Sequence, residues 1–254
     1  MKALVTGASS GIGREFARQL SEQGYELILT ARRVDRLEQL KKELKTPCVV
    51  IPADLSKKSD CFQLYEQTKD SGVDILINCA GFGVFGPFLE TDLHRELEMN
   101  DVNIRALHIL TKLFCRDFVA RGSGRILNVS SSAAFQPGPL LSSYYASKAY
   151  VLRLTEALAE ELRRSGSPVT VSAFCPGPVD TEFNDVAGVK FSMKGLSAEQ
   201  AAAYALKGMF AGKTVIVPGA LMKTALFFER FLPEKLIVRA AYRIQRRKEG
   251  PSAR

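Results

Sequence analysis

Tyr144 and Lys148 stand four residues apart in the run Tyr144-Tyr145-Ala146-Ser147-Lys148. On a helix that spacing puts a phenol and an ammonium on one face, whereas Tyr145 points roughly 100° away from them. A free phenol has a pKa of about 10, a poor match for proton transfer near neutrality. A neighbouring positive charge favours the phenolate and lowers that value, so the pair can give a proton to a carbonyl oxygen or take one from an alcohol. Thirteen residues before Tyr144, Ser131 can bond the same oxygen as charge develops on it. Ser130 and Ser132 flank it; the run from Gly124-Arg125-Ile126 and the spacing to Tyr144 favour Ser131. By itself Tyr-x-x-x-Lys occurs by accident in many helices, so its weight depends on what accompanies it.

What accompanies it is a glycine-rich turn at the first strand–helix junction, Thr6-Gly7-Ala8-Ser9-Ser10-Gly11-Ile12-Gly13. Glycines allow the tight turn and let backbone amides approach a pyrophosphate, which the free N–H groups of the helix start also attract. Gly7, Ser9, Ser10, Gly11, Ile12 and Gly13 are therefore candidate dinucleotide contacts, although such a loop can also serve as a plain connection. The second strand runs out through Thr30-Ala31-Arg32-Arg33. Ala31 stands where an acid selective for NAD(H) bonds both ribose hydroxyls. Arg32 and Arg33 can grip a 2′-phosphate instead, which favours NADP(H) over NAD(H); the plainer alternative is that both solvate the next helix. Asp54 and Leu55, after the third strand, are placed to border an adenine. Asn78, Ala80 and Gly81, in Asn78-Cys79-Ala80-Gly81 after the fourth, are placed to hold the cofactor loop. With such a cofactor, Tyr144 gives its proton as hydride reaches the carbonyl carbon, and an oxidised nicotinamide adds its charge to that of Lys148.

The elements that must position these groups alternate regularly. Apolar, β-branched runs predict strands at Lys2–Thr6, Tyr25–Ala31, Cys48–Ile51, Val73–Asn78, Gly124–Ser130, Val169–Phe174 and Thr214–Val217. Helical periodicity predicts helices at Ile12–Gln23, Val34–Leu44, Lys57–Lys69, Leu93–Val119, Tyr144–Arg164 and Ala198–Phe210. Strands apolar on both faces, alternating with helices, predict a Rossmann-type doubly wound parallel sheet of about seven strands. Ligands bind such sheets beyond the strand C-termini, where the strand order reverses. No repeat or linker interrupts the 254 residues, so a single α/β domain over 1–254 is expected, with 222–254 as a basic helical extension.

Composition narrows the alternatives. The five cysteines show no C-x-x-C pair and their odd number fits no closed disulfide framework; buried thiols in a reducing cytoplasm are expected. His94 and His108 have no partner at ligand spacing, and no metal is expected. The chain leaves no room for a signal peptide before its first strand and has no apolar run near the roughly 20 residues that span a bilayer. From Arg230 onward eight basic residues face two acidic ones, so this tail carries most of the formal charge of +8. No nucleic-acid recognition motif goes with it. The stretches Leu226–Leu232 and Leu236–Ile244 mix apolar and basic residues. They read either as a terminal helix docked on the sheet or another subunit, or as a basic amphipathic helix on an anionic membrane.

Taken in order, these motifs resemble the short-chain dehydrogenase/reductase family along roughly Lys2 to Thr181. The resemblance rests on Thr6 to Gly13, Asn78 to Gly81, Asp101-Val102-Asn103-Ile104, Ser131, Tyr144, Lys148 and Pro176-Gly177-Pro178-Val179-Asp180-Thr181. It implies a catalytic set of Ser131, Tyr144, Lys148 and Asn103, with Asn103 preferred to Asn100 as the side chain holding a water that links Lys148 to solvent. It also implies Lys148 on the nicotinamide ribose and Thr181 near the carboxamide or pyrophosphate, with Pro176, Gly177 and Val179 beside it. Arg32 matches the NADP-preferring pattern. Cys79 replaces an Asn common at that place.

The expected activity is hydride transfer between NADP(H) and a small-molecule carbonyl or alcohol, in a homodimer or homotetramer. A non-catalytic dinucleotide sensor is the alternative, though it has no need of an intact Ser/Tyr/Lys/Asn set. The direction of reaction stays open. Two apolar stretches are candidates for substrate choice: Ala133–Ser143, with Phe135, Pro137, Pro139, Leu140 and Leu141, and the segment after Thr181, with Phe183, Phe191 and Met193. They suggest a hydrophobic carbonyl compound, although these side chains could equally belong to the core.

Overall fold

The computed structural model describes residues 1–188, 195–229 and 231–246. The chain opens with β1 (Lys2–Thr6), α1 (Gly11–Glu22), β2 (Glu26–Thr30), α2 (Val34–Glu43), β3 (Cys48–Val50), α3 (Lys58–Thr68) and β4 (Val73–Asn78). Next come α4 (Leu93–Asn100), a π-helical turn at Asp101–Ala106, α5 (Leu107–Arg121), β5 (Arg125–Val129), α6 (Ser142–Arg164) and β6 (Thr170–Phe174). The last part contains β7 (Val179–Asp180), α7 (Phe183–Ala187), β8 (Leu196–Ser197), α8 (Ala198–Phe210), β9 (Val215–Ile216), α9 (Ala220–Glu229) and α10 (Glu234–Arg246).

Seven strands form one sheet in the order β3-β2-β1-β4-β5-β6-β9, every pairing parallel. Each crossover returns through a helix, so both faces are covered and the strands lack a polar side. On one face α1, α2 and α8 bury Phe16, Leu20, Leu37, Leu40, Leu206 and Met209 against Val5, Leu29, Ile77 and Leu127. On the other, α3, α5 and α6 bury Leu64, Leu110, Phe114, Phe118 and Leu162 against Leu4, Leu76, Ile126 and Val171. This is the doubly wound Rossmann-type arrangement expected.

Strand order reverses between β1 and β4, and there the chain ties its two loops together. The Thr6 hydroxyl accepts from the backbone N–H of Cys79 (3.0 Å) and Ala80 (3.1 Å), fixing the glycine turn beside the loop after β4. Two details differ from the sequence expectation. The helix expected over Leu93–Val119 contains the π turn at Asp101–Ala106, and α6 begins at Ser142, one half-turn before Tyr144.

Candidate active site

A cleft of about 480 Å³ opens beyond the C-terminal ends of the strands. Its lining brings together Gly7, Ser9, Ser10, Gly11, Ile12, Gly13, Arg32, Arg33, Asp54, Leu55, Ala80, Gly81, Ser131, Tyr144, Lys148, Pro176, Gly177, Val179 and Thr181. Asn78 and Asn103 are not among the lining residues.

The glycine turn is shaped by close approach as much as by conformation. Gly7 and Gly11 have φ of 69° and 53°, the left-handed region that glycine reaches without steric cost. A Cβ on Gly13 would lie 2.3 Å from the Gly7 carbonyl oxygen, and one on Gly7 would lie 2.8 Å from Ala80 Cα. This backbone cradle at the start of α1 fits a pyrophosphate. Beside it Arg33 donates to Ser10 Oγ (2.8 Å) and Ser9 Oγ (3.2 Å), while Arg32 pairs with Glu98 at 2.9 Å.

At the other end of the cleft, α6 begins early enough to make Tyr144 and Lys148 helical neighbours. Lys148 Nζ lies 5.7 Å from the Tyr144 ring centre and donates to the Val129 carbonyl at 3.0 Å. Burial pushes the ammonium down to about 8. The same burial raises the Tyr144 phenol well above its ordinary value, with the nearby Ser131 hydroxyl pulling the other way. The lowering expected from Lys148 is absent here: its ammonium donates to the Val129 carbonyl, and burial dominates the phenol. Tyr144 is protonated at neutral pH, the state a proton donor requires.

The three serines separate cleanly. Ser130 is buried and spends its hydroxyl on the Lys148 carbonyl (2.8 Å). Ser131 caps the short 3-10 turn Ser132–Phe135 and meets Tyr144, while the Ser132 N–H donates to the Pro176 carbonyl at 2.7 Å.

The two asparagines off the surface of the cleft support it from behind. Asn78 donates to Thr111 Oγ1 (3.0 Å) and Asn128 Oδ1 (2.9 Å), a buried network below the β4 loop. Asn103, on the π turn, accepts from the Phe82 N–H and donates to the Phe82 carbonyl and Ser147 Oγ. Its Oδ1 lies 2.8 Å, and Lys148 Nζ 3.3 Å, from where a Cβ on Gly81 would sit. Gly81 is a glycine because both groups crowd it.

Sequence reasoning missed Glu182 and the cleft-facing side of Tyr145. Glu182 Oε2 pairs with Arg33 at 2.8 Å and its other oxygen pairs with Arg36; these bonds hold its carboxyl below the usual range. No local signal marks a partner 146 or 149 residues away. Tyr145 turns from Lys148 as its spacing requires, yet it lines the cleft and accepts a hydrogen bond from Gln245 of α10. Of the apolar residues expected at the substrate end, Leu141 and Phe183 line the cleft, joined by Phe82, Val102 and Val186. Phe135 packs instead on the cluster containing Leu152 and Ala173, and Leu140 is buried off the lining. Pro137 and Pro139 are not lining residues either. Phe191 and Met193 lie outside the described residues.

A parallel sheet reversing at β1/β4, a glycine cradle there and a Ser/Tyr/Lys cluster opposite define a dinucleotide-dependent oxidoreductase. The family profile described as short chain dehydrogenase matches residues 1–190, and the chain belongs to the short-chain dehydrogenase/reductase family. Dehydrogenase/reductase SDR family member 11 of Bos taurus is 37% identical over 192 residues, covering 71% of this chain and 75% of that protein. A short-chain dehydrogenase from Sphingobium yanoikuyae, solved with NADPH, superimposes with a TM-score of 0.82 at 30% identity, covering 91% and 93% of the two chains. The bulky-bulky ketone specific alcohol dehydrogenase of Comamonas testosteroni gives 0.78 at 29% identity, covering 91% and 92%. The protein is an NAD(P)-dependent oxidoreductase.

Proposed function

We propose that this protein reduces apolar, bulky ketones or aldehydes with NADP(H), using Tyr144 as proton donor. The observation that carries this reading is the buried Tyr144 phenol, with Lys148 5.7 Å from its ring, lining one apolar cleft together with Ser131. The dinucleotide supplies the hydride. The amides of the Ser9–Gly13 turn would hold its pyrophosphate, Asp54 and Leu55 would border its adenine, and Thr181 with Pro176, Gly177 and Val179 would close over the nicotinamide end. Ser131 orients the carbonyl oxygen. As hydride reaches carbon, the Tyr144 proton passes to that oxygen and the product is the alcohol. Lys148, with its ammonium pushed down to about 8, can return a proton to the phenolate near neutrality; Asn103 positions the segment around Gly81 and Ser147 on which this depends.

Two further features support the finer assignments. Arg33 and Arg36 already hold a carboxylate, Glu182, and Ala31 stands where an acid would select the free ribose; a 2′-phosphate satisfies the same guanidinium donors. Phe82, Leu141, Tyr145, Phe183 and Val186 provide an apolar wall, with no charged clamp on it among the described residues. The test is a panel of ketones assayed with NADPH and NADH, together with Tyr144→Phe. Turnover of the variant should fall about 10²–10⁴-fold with NADPH binding preserved. Undiminished reduction by Tyr144→Phe would remove Tyr144 from the mechanism, and preference for NADH or for small polar ketones would overturn the cofactor or substrate assignment.

A further inference from the structure

The last two helices are attached to the body through few side chains. α9 contributes Met222 and Leu226 to the cluster of Ala134, Leu152, Ala173, Cys175 and Val217. α10 buries only Ala241 and Gln245, and the latter donates to the Tyr145 hydroxyl. Leu221, Phe227, Phe228, Phe231, Leu232 and Leu236 are each more than half exposed. The Phe227 ring lies 5.5 Å from Phe228 and 5.6 Å from Phe231, so the aromatic part of this surface is continuous across the end of α9.

Along α10 the i, i+4 spacing sets two exposed rows side by side. Leu236, Ala240 and Ile244 form an apolar row, and Lys235, Arg239 and Arg243 form a basic row beside it. Among the described residues none of these three cations makes an ion pair, although ion pairs are frequent elsewhere on the surface. Among the described residues the positive charge of this α10 row is therefore uncompensated where it lies against exposed apolar surface.

We propose that the exposed side chains of α9 and α10 form a docking surface for an anionic lipid bilayer. Amphipathic helices of this kind bury their apolar side at the headgroup boundary while basic side chains meet anionic lipid. A second copy of the chain is the poorer partner: a two-fold contact over this face would bring two basic rows into one interface, and none of their cations has an acidic partner among the described residues. No helix among the described residues is long and apolar enough to cross a membrane, so attachment is at the surface. Because Gln245 holds Tyr145, a wall of the cleft, the bound bilayer lies on the substrate side of the molecule. Docking itself does not depend on the proposed reaction.

The test is co-sedimentation of the full-length protein with vesicles of phosphatidylcholine alone, or of phosphatidylcholine containing roughly one-third phosphatidylglycerol. Binding to the anionic vesicles should be at least about ten-fold stronger and should be lost in about 0.5 M NaCl, where screening acts within a few Å. The double variants Phe227→Ser/Phe231→Ser and Lys235→Glu/Arg239→Glu should stay in the supernatant while reducing a water-soluble ketone at the wild-type rate. Light scattering in parallel reads oligomeric state. Binding to neither vesicle, equal binding to both, or undiminished binding by the variants overturns the proposal. So does wild-type protein that stays soluble as an oligomer while the variants become monomers, which would assign the surface to a second copy instead.

Discussion

The two ends of the cleft solve the same backbone problem in different ways. At the cofactor end the left-handed positions are Gly7 and Gly11, which adopt them without a side-chain penalty. At the substrate end the left-handed residue is Leu140, φ 66°, where a leucine costs about 1–2 kcal/mol. Its side chain is buried and its carbonyl accepts from the Gly86 N–H at 2.9 Å, so packing holds what conformation opposes. One end is shaped by main chain and tolerates almost no added atom. The other is held by side chains from several distant segments, and can change its contents while keeping its frame.

The sharpest break in that contrast is Gly13→Ala. Its Cβ would meet the Gly7 carbonyl oxygen at 2.3 Å, a backbone group that cannot swing away, and NADPH affinity should fall roughly a hundredfold, about 2.7 kcal/mol. Calorimetric titration reads this directly; near-wild-type affinity would mean the cradle is more pliable than its geometry. Arg33→Ala should follow, lowering kcat/KM with NADPH about ten-fold or more while leaving NADH almost untouched. An equal loss with both cofactors would take Arg33 out of phosphate recognition.

Between the two ends, Lys148 carries a stability cost with a definite pH dependence. Burial lowers its pKa from 10.5 to about 8, so below pH 8 the folded protein carries a buried ammonium. Between about 8 and 10.5 the unfolded chain binds more protons, and wild-type stability rises with pH. In the cofactor-free protein Lys148→Met should therefore melt a few degrees higher than wild type at pH 7, with the gap narrowing as pH approaches 10. A constant gap would point to packing instead of charge. Leu140→Gly is the mildest change. Relief of the strained φ offsets part of the lost burial, leaving a net loss of about 1 kcal/mol, seen as a slightly lower Tm with unchanged NADPH affinity.

The same contrast decides what could be read from the chain alone. Strand runs, the glycine turn and the i, i+4 pair of Tyr144 and Lys148 are local patterns, so the sheet and the proposed reactive pair are legible from spacing. Asn103 could be chosen over Asn100 only by resemblance, because no side-chain period announces a π turn. Glu182 reaching Arg33, and Gln245 reaching Tyr145, are contacts across 149 and 100 residues that exist only once the chain has folded. The apolar loop around Phe135 suits substrate contact and core alike; Phe135 is core because the short turn after Ser131 aims it at Leu152. The phenol's protonation depended on burial, which spacing does not measure.

The π turn at Asp101–Ala106 also makes chain length a variable of the site. Its i→i+5 hydrogen bonding accommodates one residue more than a continuous α-helix would. Excising a single residue there would let α4 and α5 join in unbroken α geometry while rotating one by about 100° against the other. Phe114 and Phe118 could then stay in the core only if Met99 and Arg95, which stacks on Phe82 at 4.2 Å, turned away from Phe82 and the cluster behind the cleft. The turn thus lets a single rod obey two separate faces, so a one-residue deletion in it would disconnect them more thoroughly than many substitutions.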